Sequence, residues 1–189
     1  MKTKLKNIAF IRSGIFAKSR PDASVVYLQA KHFEESGKMI AGITPELIVD
    51  RQTENHLLQP GDILFAAKGT KNFASVYKPE YGLCVASSTF LVVTLKNEFR
   101  DAVLPEFVAW LMNCDYTMEK LKREARGTSI PSISKLNLEE LTVNIPDLQK
   151  QGLILNIDEL RQQETAIRLK LMKLRELYLQ RRLINELKK

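Results

Sequence analysis

The chain has 189 residues, of which 44% are hydrophobic and 27% charged, with a formal net charge of +7. That composition excludes a largely disordered chain, and the length suffices for a core without disulfide or metal staples. No apolar run reaches the roughly 18 residues that span a bilayer, and no apolar signal segment follows the basic residues 1–6, so a cytoplasmic protein is expected. Cys84 and Cys114 stand apart without a CxxC pair and read as reduced, half-buried residues.

In chain order, residues 3–12 are predicted as a short amphipathic helix, with Leu5, Ile8 and Ile11 spaced by three and Ser13-Gly14 ending it. Residues 25–28 are β-rich. Pro60-Gly61-Asp62 is a turn signal, followed by a buried strand over 63–67. A polar loop over 68–72 leads to a second strand, 73–77, and residues 84–95 supply one or two more. Pro105 opens a helix through Asn113, where its missing N–H is tolerated. Asp115 is placed to cap a further helix over 116–123. Residues 141–145 form a short strand ended by Pro146.

The character of the chain changes at Pro146. Asp147 is the expected N-cap of one long helix, because residues 148–187 contain no proline and a single early glycine, Gly152. Leu153, Ile157, Leu160, Ile167, Leu171, Leu174 and Tyr178 fall on one stripe, interrupted by Glu164; Leu169, Met172, Leu179 and Leu183 form a narrower one. A helix of this length cannot bury both stripes on one small domain, so it calls for a second helix. Residues 148–189 carry ten Lys/Arg against five Asp/Glu, while the residues before them carry 19 against 17. The tail cations Arg161, Arg168, Lys170, Lys173, Arg175, Arg181 and Arg182 read as a solvated helix face.

Catalytic constellations are missing. His32 and His56 lie 24 residues apart with no His or Cys at ligand spacing, which argues against a metal site. There is no GxxxxGK[ST] loop, no GxGxxG turn, no clustered carboxylate–lysine nuclease pattern, no Asn/Asp-Pro-Pro-Tyr/Phe clamp for a flipped adenine, and no GxSxG elbow. No cofactor is expected.

Residues 123–145 carry the strongest signal. Arg126-Gly127-Thr128-Ser129 is small, polar and basic, and Ile130-Pro131-Ser132-Ile133-Ser134-Lys135 follows. Such a loop offers backbone N–H groups, hydroxyls and cations, the donors that grip phosphates. It reads equally well as a surface turn before a short helix capped by Asn137, with Glu139 and Glu140 in its first turn. On the residues alone both readings stand.

The run from Gly127 to Ser134, the Asn137-Leu138-Glu139-Glu140-Leu141 step and the Ile145-Pro146-Asp147-Leu148-Gln149-Lys150-Gln151 segment resemble the specificity (S) subunits of type I restriction–modification systems. So do Pro60-Gly61-Asp62-Ile63-Leu64-Phe65, Lys68-Gly69 and Ala86-Ser87-Ser88, in the same order along nearly the whole chain. The resemblance implies an α+β architecture: a small mixed α/β target-recognition domain, 1–146, followed by a long spacer and dimerisation helix, 147–189, that pairs as an antiparallel coiled coil. S subunits of the full-length kind carry two such domains and two helices, so this chain resembles a half-subunit, expected to form a homodimer.

The family's role implies double-stranded DNA as partner, together with methyltransferase subunits and, through them, restriction subunits, and no catalysis by the chain itself. Within the polar loops, the phosphate contacts expected are Lys18, Arg20, Lys68, Lys71, Arg126 and Lys135. The expected base readers are Thr70, Asn72, Ser88, Thr128 and Ser129. The dimerisation face expected is the main helix stripe with Glu164. The competing reading is a scaffold that dimerises through a long coiled-coil helix and binds no DNA.

Overall fold

A computed structural model describes residues 1–187 apart from 21, 35, 41, 70 and 125–131, with the backbone alone at 52. The chain divides into two compact units, Met1–Gln151 and Gly152–Lys189.

The first unit departs from the sequence expectation at its start. In place of one helix over 3–12, β1 (Lys2–Lys4), a single turn α1 (Leu5–Ile8) and β2 (Ala9–Ser13) follow one another. Leu5 and Ile8 are fully buried on the turn, whereas Ala9 and Ile11 point inward and Phe10 outward, the period of two of a half-buried strand. Spacing by three cannot separate these cases over ten residues; pairing with a distant strand decides it.

That partner is β7 (Phe90–Leu95), antiparallel with Ala9 opposite Leu95. With β4 (Ile63–Ala66) and β5 (Ala74–Val76) they form a four-stranded antiparallel sheet in the order β2-β7-β4-β5. All four residues of β4 are buried, so both of its faces are covered. Phe33, Phe73 and Phe90 meet on one face with ring centroids 5.3–6.0 Å apart. Each such ring contributes about 1.5–3 kcal/mol by burial. β3 (Val26–Leu28) and β6 (Cys84–Ala86) pair in parallel beside this sheet. β8 (Thr142–Asn144) pairs antiparallel with β1.

The turn before β4 is built as its residues require. Gly61 has φ +86°, and the Asp62 N–H donates to Gln59 O at 2.9 Å. Asp62 itself is buried, and its carboxylate accepts from Gln59 N, the Thr94 hydroxyl and, at 3.5 Å, Arg12. Arg12 also contacts His56 Nδ1 at 3.3 Å, which together with burial holds that imidazole below its ordinary pKa, burial being the larger cause.

α2 (Arg51–Glu54) is capped by Asp50, whose carboxylate accepts from Thr53 N at 2.8 Å. α3 (Pro105–Asn113) has proline in its first turn, and α4 (Asp115–Glu124) follows after Cys114, with Asp115 inside the helix. α5 (Lys135–Glu139) is capped by Ser134, not Asn137. Ser134 Oγ accepts from Asn137 N at 3.1 Å and Asn137 Oδ1 accepts from Ser134 N at 3.1 Å, a reciprocal capping box. Glu139 and Glu140 therefore fall at the helix end.

α6 (Leu148–Glu186) has 39 residues and is capped by Asp147, which accepts from Lys150 N at 2.9 Å. That N–H is the main cause holding the Asp147 carboxyl below its usual value. At 1.5 Å per residue α6 runs for about 58 Å. In the second unit, Leu153, Ile157, Leu160, Ile167, Leu171, Leu174 and Tyr178 are 46–67% exposed, and so are the second-stripe residues Leu169, Met172, Leu179 and Leu183. Glu164 accepts from Arg168 at 2.6 Å within its own helix. The architecture is thus the expected one, a mixed α/β unit followed by a long C-terminal helix. Among the described residues no helix is long and apolar enough to cross a membrane.

Candidate nucleic-acid interface

Four backbone segments interlace at one end of the four-stranded sheet. The turn between β6 and β7 closes through Phe90 N donating to Ser87 O at 2.9 Å, and the Ser87 and Thr89 hydroxyls lie 2.7 Å apart. Thr89 O accepts from both Ala67 N (3.0 Å) and Lys68 N (3.3 Å), where the chain leaves β4. Ala67 O in turn accepts from Ile133 N at 2.9 Å, so Lys68 and Ser132 form an antiparallel bridge. From the other side, Gly14 N donates to Phe90 O at 3.0 Å and Ile15 N to Ala86 O at 2.9 Å.

Gly14 is required by this crowding. A Cβ there would lie 2.1 Å from Ser87 O and 2.5 Å from Ala86 O. Ser13-Gly14 therefore does not stop a helix, as the spacing of the preceding residues predicts; it lets one strand end cross another. In the sequence this position shows only as a glycine between two β-capable runs, a pattern shared by ordinary turns and helix ends.

These stitches bring together Lys68, Ser88 and, through Ile133, the helix start at Lys135. Lys68 and Lys135 are exposed and Ser88 is half-buried. Lys135 Nζ lies 3.5 Å from Glu139, an i,i+4 pair between an exposed lysine and a half-buried carboxylate. Lys71 is exposed on the same loop as Lys68. Asn72 is differently engaged: its Nδ2 donates to Ala66 O at 2.9 Å and closes that loop. Lys18 and Arg20, both exposed, line a recess of about 280 Å³ with Ile15, Phe16, Leu47 and Asp50. Thr70, Arg126, Thr128 and Ser129 lie outside the described residues.

Two titratable groups of this unit are shifted mainly by burial. Burial pushes the Cys84 thiol up to about 12, which keeps it protonated and inert. His32 Nδ1 accepts from Gln29 N, and burial, then Lys31, lowers its pKa. Among the described residues no three His, Cys, Asp or Glu side chains gather where they could hold a metal ion. What the four segments present instead is exposed cations, hydroxyls and turn backbone on a rigid frame, the means by which proteins position phosphates and reach base edges.

No curated protein matches the chain. Several solved structures share its fold. A chain from a study of complex assembly and conformational transition of the type I R-M system is 19% identical, with a TM-score of 0.64 over 89% of this chain and 43% of that one. The HsdS subunit from Thermoanaerobacter tengcongensis is 16% identical, with a TM-score of 0.54 over 88% of this chain and 38% of its own. The type I restriction-modification S subunit from M. genitalium is 14% identical, with a TM-score of 0.55 over 83% of this chain and 37% of its own. The chain spans about two fifths of the length of these structures. The family model for the type I restriction modification DNA specificity domain matches residues 5–188, taking in the interlaced loops, the capping box at Ser134 and the long helix together. Since that match runs through both units, the chain belongs to the family of type I restriction modification DNA specificity domains.

Proposed function

We propose that this protein is a DNA-recognition subunit of a type I restriction–modification system. It reads one half of a bipartite duplex site through the loops around Ser87–Thr89, and its partners are methyltransferase subunits and, through them, restriction subunits. The observation that carries this reading is the family match over residues 5–188, which covers a loop-bearing unit and a long helix in one stretch. The chain supplies recognition, and methyl transfer and cleavage are the work of the partner subunits, in the cytoplasm.

The helix is assigned to pairing. Seven stripe residues from Leu153 to Tyr178 stand in water in the single chain. Each forgoes about 1.5–3 kcal/mol of burial. Even after the entropy of association is deducted, that supports pairing with a second helix of the same kind. An antiparallel pair of identical chains has closed two-fold symmetry. Two identical recognition units then read identical half-sites in opposite orientation, so the site is an interrupted palindrome.

The test is co-expression of the chain with methyltransferase subunits in a host lacking other DNA methylation, followed by mapping of methylated bases. The expected result is one interrupted palindromic motif and a dimeric mass for the chain at micromolar concentration. An asymmetric motif assigns the second helix to a different recognition chain. No methylation and no salt-dependent DNA binding by the complex overturn the reading in favour of a scaffold.

A further inference from the structure

Phe16 is 73% exposed, and its setting is unusual for a stray surface ring. Phe10 is also exposed, but the Lys96 ammonium sits 5.3 Å from its centroid. Among the described residues Phe16 has neither a ring partner nor a cation over its face. The backbone on either side of it is clamped. The buried Tyr27 hydroxyl donates to Ile15 O at 2.8 Å and accepts from Ala17 N at 3.3 Å, so one side chain grips both neighbours of Phe16. Ile15 is in turn bonded to Ala86, and Gly14 to Phe90. The ring is therefore held out on a fixed support, and its exposure is not the result of a fraying loop.

Its neighbours are cationic. Lys18 and Arg20 follow at alternate positions and line the same recess. Neither forms an ion pair among the described residues. Two carboxylates lie nearby but are engaged: Asp50 caps α2, and Glu46 accepts from the Ser19 hydroxyl at 3.0 Å. A rigid apolar ring with two cations beside it, joined through Gly14 and Ile15 to both sides of the Ser87–Thr89 turn, suits duplex DNA. Phosphates take the cations, and the ring meets an apolar feature of a base edge. In the major groove that feature is the thymine C5-methyl group.

We infer that Phe16 is a specificity-determining residue that reads a thymine methyl in the half-site, with Lys18 and Arg20 holding the adjacent phosphates. The inference rests on the DNA-recognition reading above. Contact with a methyl group is worth about one buried CH₂, which corresponds to about three- to fivefold in affinity. The apolar ring donates and accepts nothing, so it adds discrimination without a hydrogen bond and complements the hydroxyl-bearing turn beside it.

The experiment uses the whole chain assembled with its methyltransferase subunits. The complex selects its site from a pool of random duplex DNA, and each thymine of that site is then replaced in turn by uracil. This deletes only the methyl group and keeps base pairing. The expected result is one thymine whose replacement weakens wild-type binding about three- to fivefold. Phe16→Ala binds the thymine site more weakly by at least that factor and no longer distinguishes uracil there, while Phe16→Leu keeps part of the distinction. A Lys18→Ala, Arg20→Ala double variant loses affinity for every sequence and keeps the methyl effect. If no thymine is methyl-sensitive, or Phe16→Ala retains the full effect, the inference fails and DNA recognition stands. If the wild-type complex selects no sequence, both fail.

Discussion

Gln151 Oε1 accepts the Leu104 N–H at 2.9 Å, from a side chain that is fully buried. The same carboxamide donates to Ala102 O and Pro146 O, each at 2.8 Å. One residue in the first turns of α6 thus satisfies three backbone groups in the loop before α3 and at the helix entry. An apolar replacement leaves those part-buried groups without this partner, at about 1–3 kcal/mol for each unsatisfied group. Gln151→Leu should lower stability by about 3 kcal/mol in urea unfolding despite its similar volume. Gln151→Glu should cost more, because it loses both donors and buries a charge. A Gln151→Leu variant within about 0.5 kcal/mol of wild type would refute the account.

Asn113, at the end of α3, performs a similar task for the sheet. Its Oδ1 accepts from Ala74 N at 2.7 Å and its Nδ2 donates to Ala74 O at 2.8 Å. The carboxamide pairs with the outer strand β5 as a neighbouring strand would, and so occupies an edge otherwise open to another chain. Asn113→Ala should destabilise by about 2–3 kcal/mol, since two backbone groups of the buried Ala74 lose their partner. Asn113→Asp keeps the acceptor and loses the donor, so it should fall between the two. Thermal unfolding of the three proteins checks the order; equal midpoints would show that water replaces the side chain at no cost.

The Gln151 contacts to Leu104 and Ala102 and the Asn113 contacts to Ala74 are not legible in the sequence, because they join residues 39 to 49 positions apart. The elements are more accessible where the signal is local. Pro60-Gly61-Asp62 specifies a turn with its glycine at positive φ, Pro105 marks the start of α3, and Asp147 caps α6. The start of the chain misleads for a physical reason. Leu5, Ile8 and Ile11 satisfy a helical period, but β2 is selected by a ladder to β7 about 80 residues away. At Ser134 two capping residues lie three apart, and only the geometry shows that they cap each other. For the candidate interface, the polar loops can be picked out as loops. Their convergence on Thr89 O and the close passage at Gly14 depend on tertiary crossing and leave no periodic trace.

Glu140 accepts from both Lys4 and Lys6, which tie β1 and α1 to the end of α5. The hydrogen bonds from Lys4 and Lys6 are the main cause holding its carboxyl at about 2, against an ordinary value of 4.5. A folded-state pKa below the unfolded value means that the stabilisation is fully present above about 4.5 and is lost as pH falls through about 2. Glu140→Gln should therefore flatten the acid limb of the stability–pH curve between those values and leave its shape above about pH 5 unchanged. Because these groups face solvent, added salt should shrink the difference between variant and wild type. Parallel acid limbs for the two proteins would show that the pairing does not act in solution.

Lys68 and Lys135 offer the most direct test of where phosphates sit. Lys68 leaves β4 at the bridge to Ser132, and Lys135 opens α5 three residues further along that second segment, so both cations are mounted on one backbone junction. Each phosphate contact made by such a cation contributes about −0.9 to the slope of log affinity against log salt on duplex DNA. If both act on the backbone, the Lys68→Ala, Lys135→Ala double variant of the assembled complex should bind with a slope shallower by about two. Its loss of affinity should be equal for cognate and unrelated duplexes, since phosphates carry no sequence. Glu139 lies 3.5 Å from Lys135 and would compete with a phosphate for it. Glu139→Gln should accordingly tighten binding at low salt, by no more than a few-fold, because an i,i+4 ion pair at the protein surface is worth less than about 1 kcal/mol. A double variant with an unchanged slope would move the phosphate contacts away from this junction, and a loss confined to the cognate site would make these lysines base readers instead.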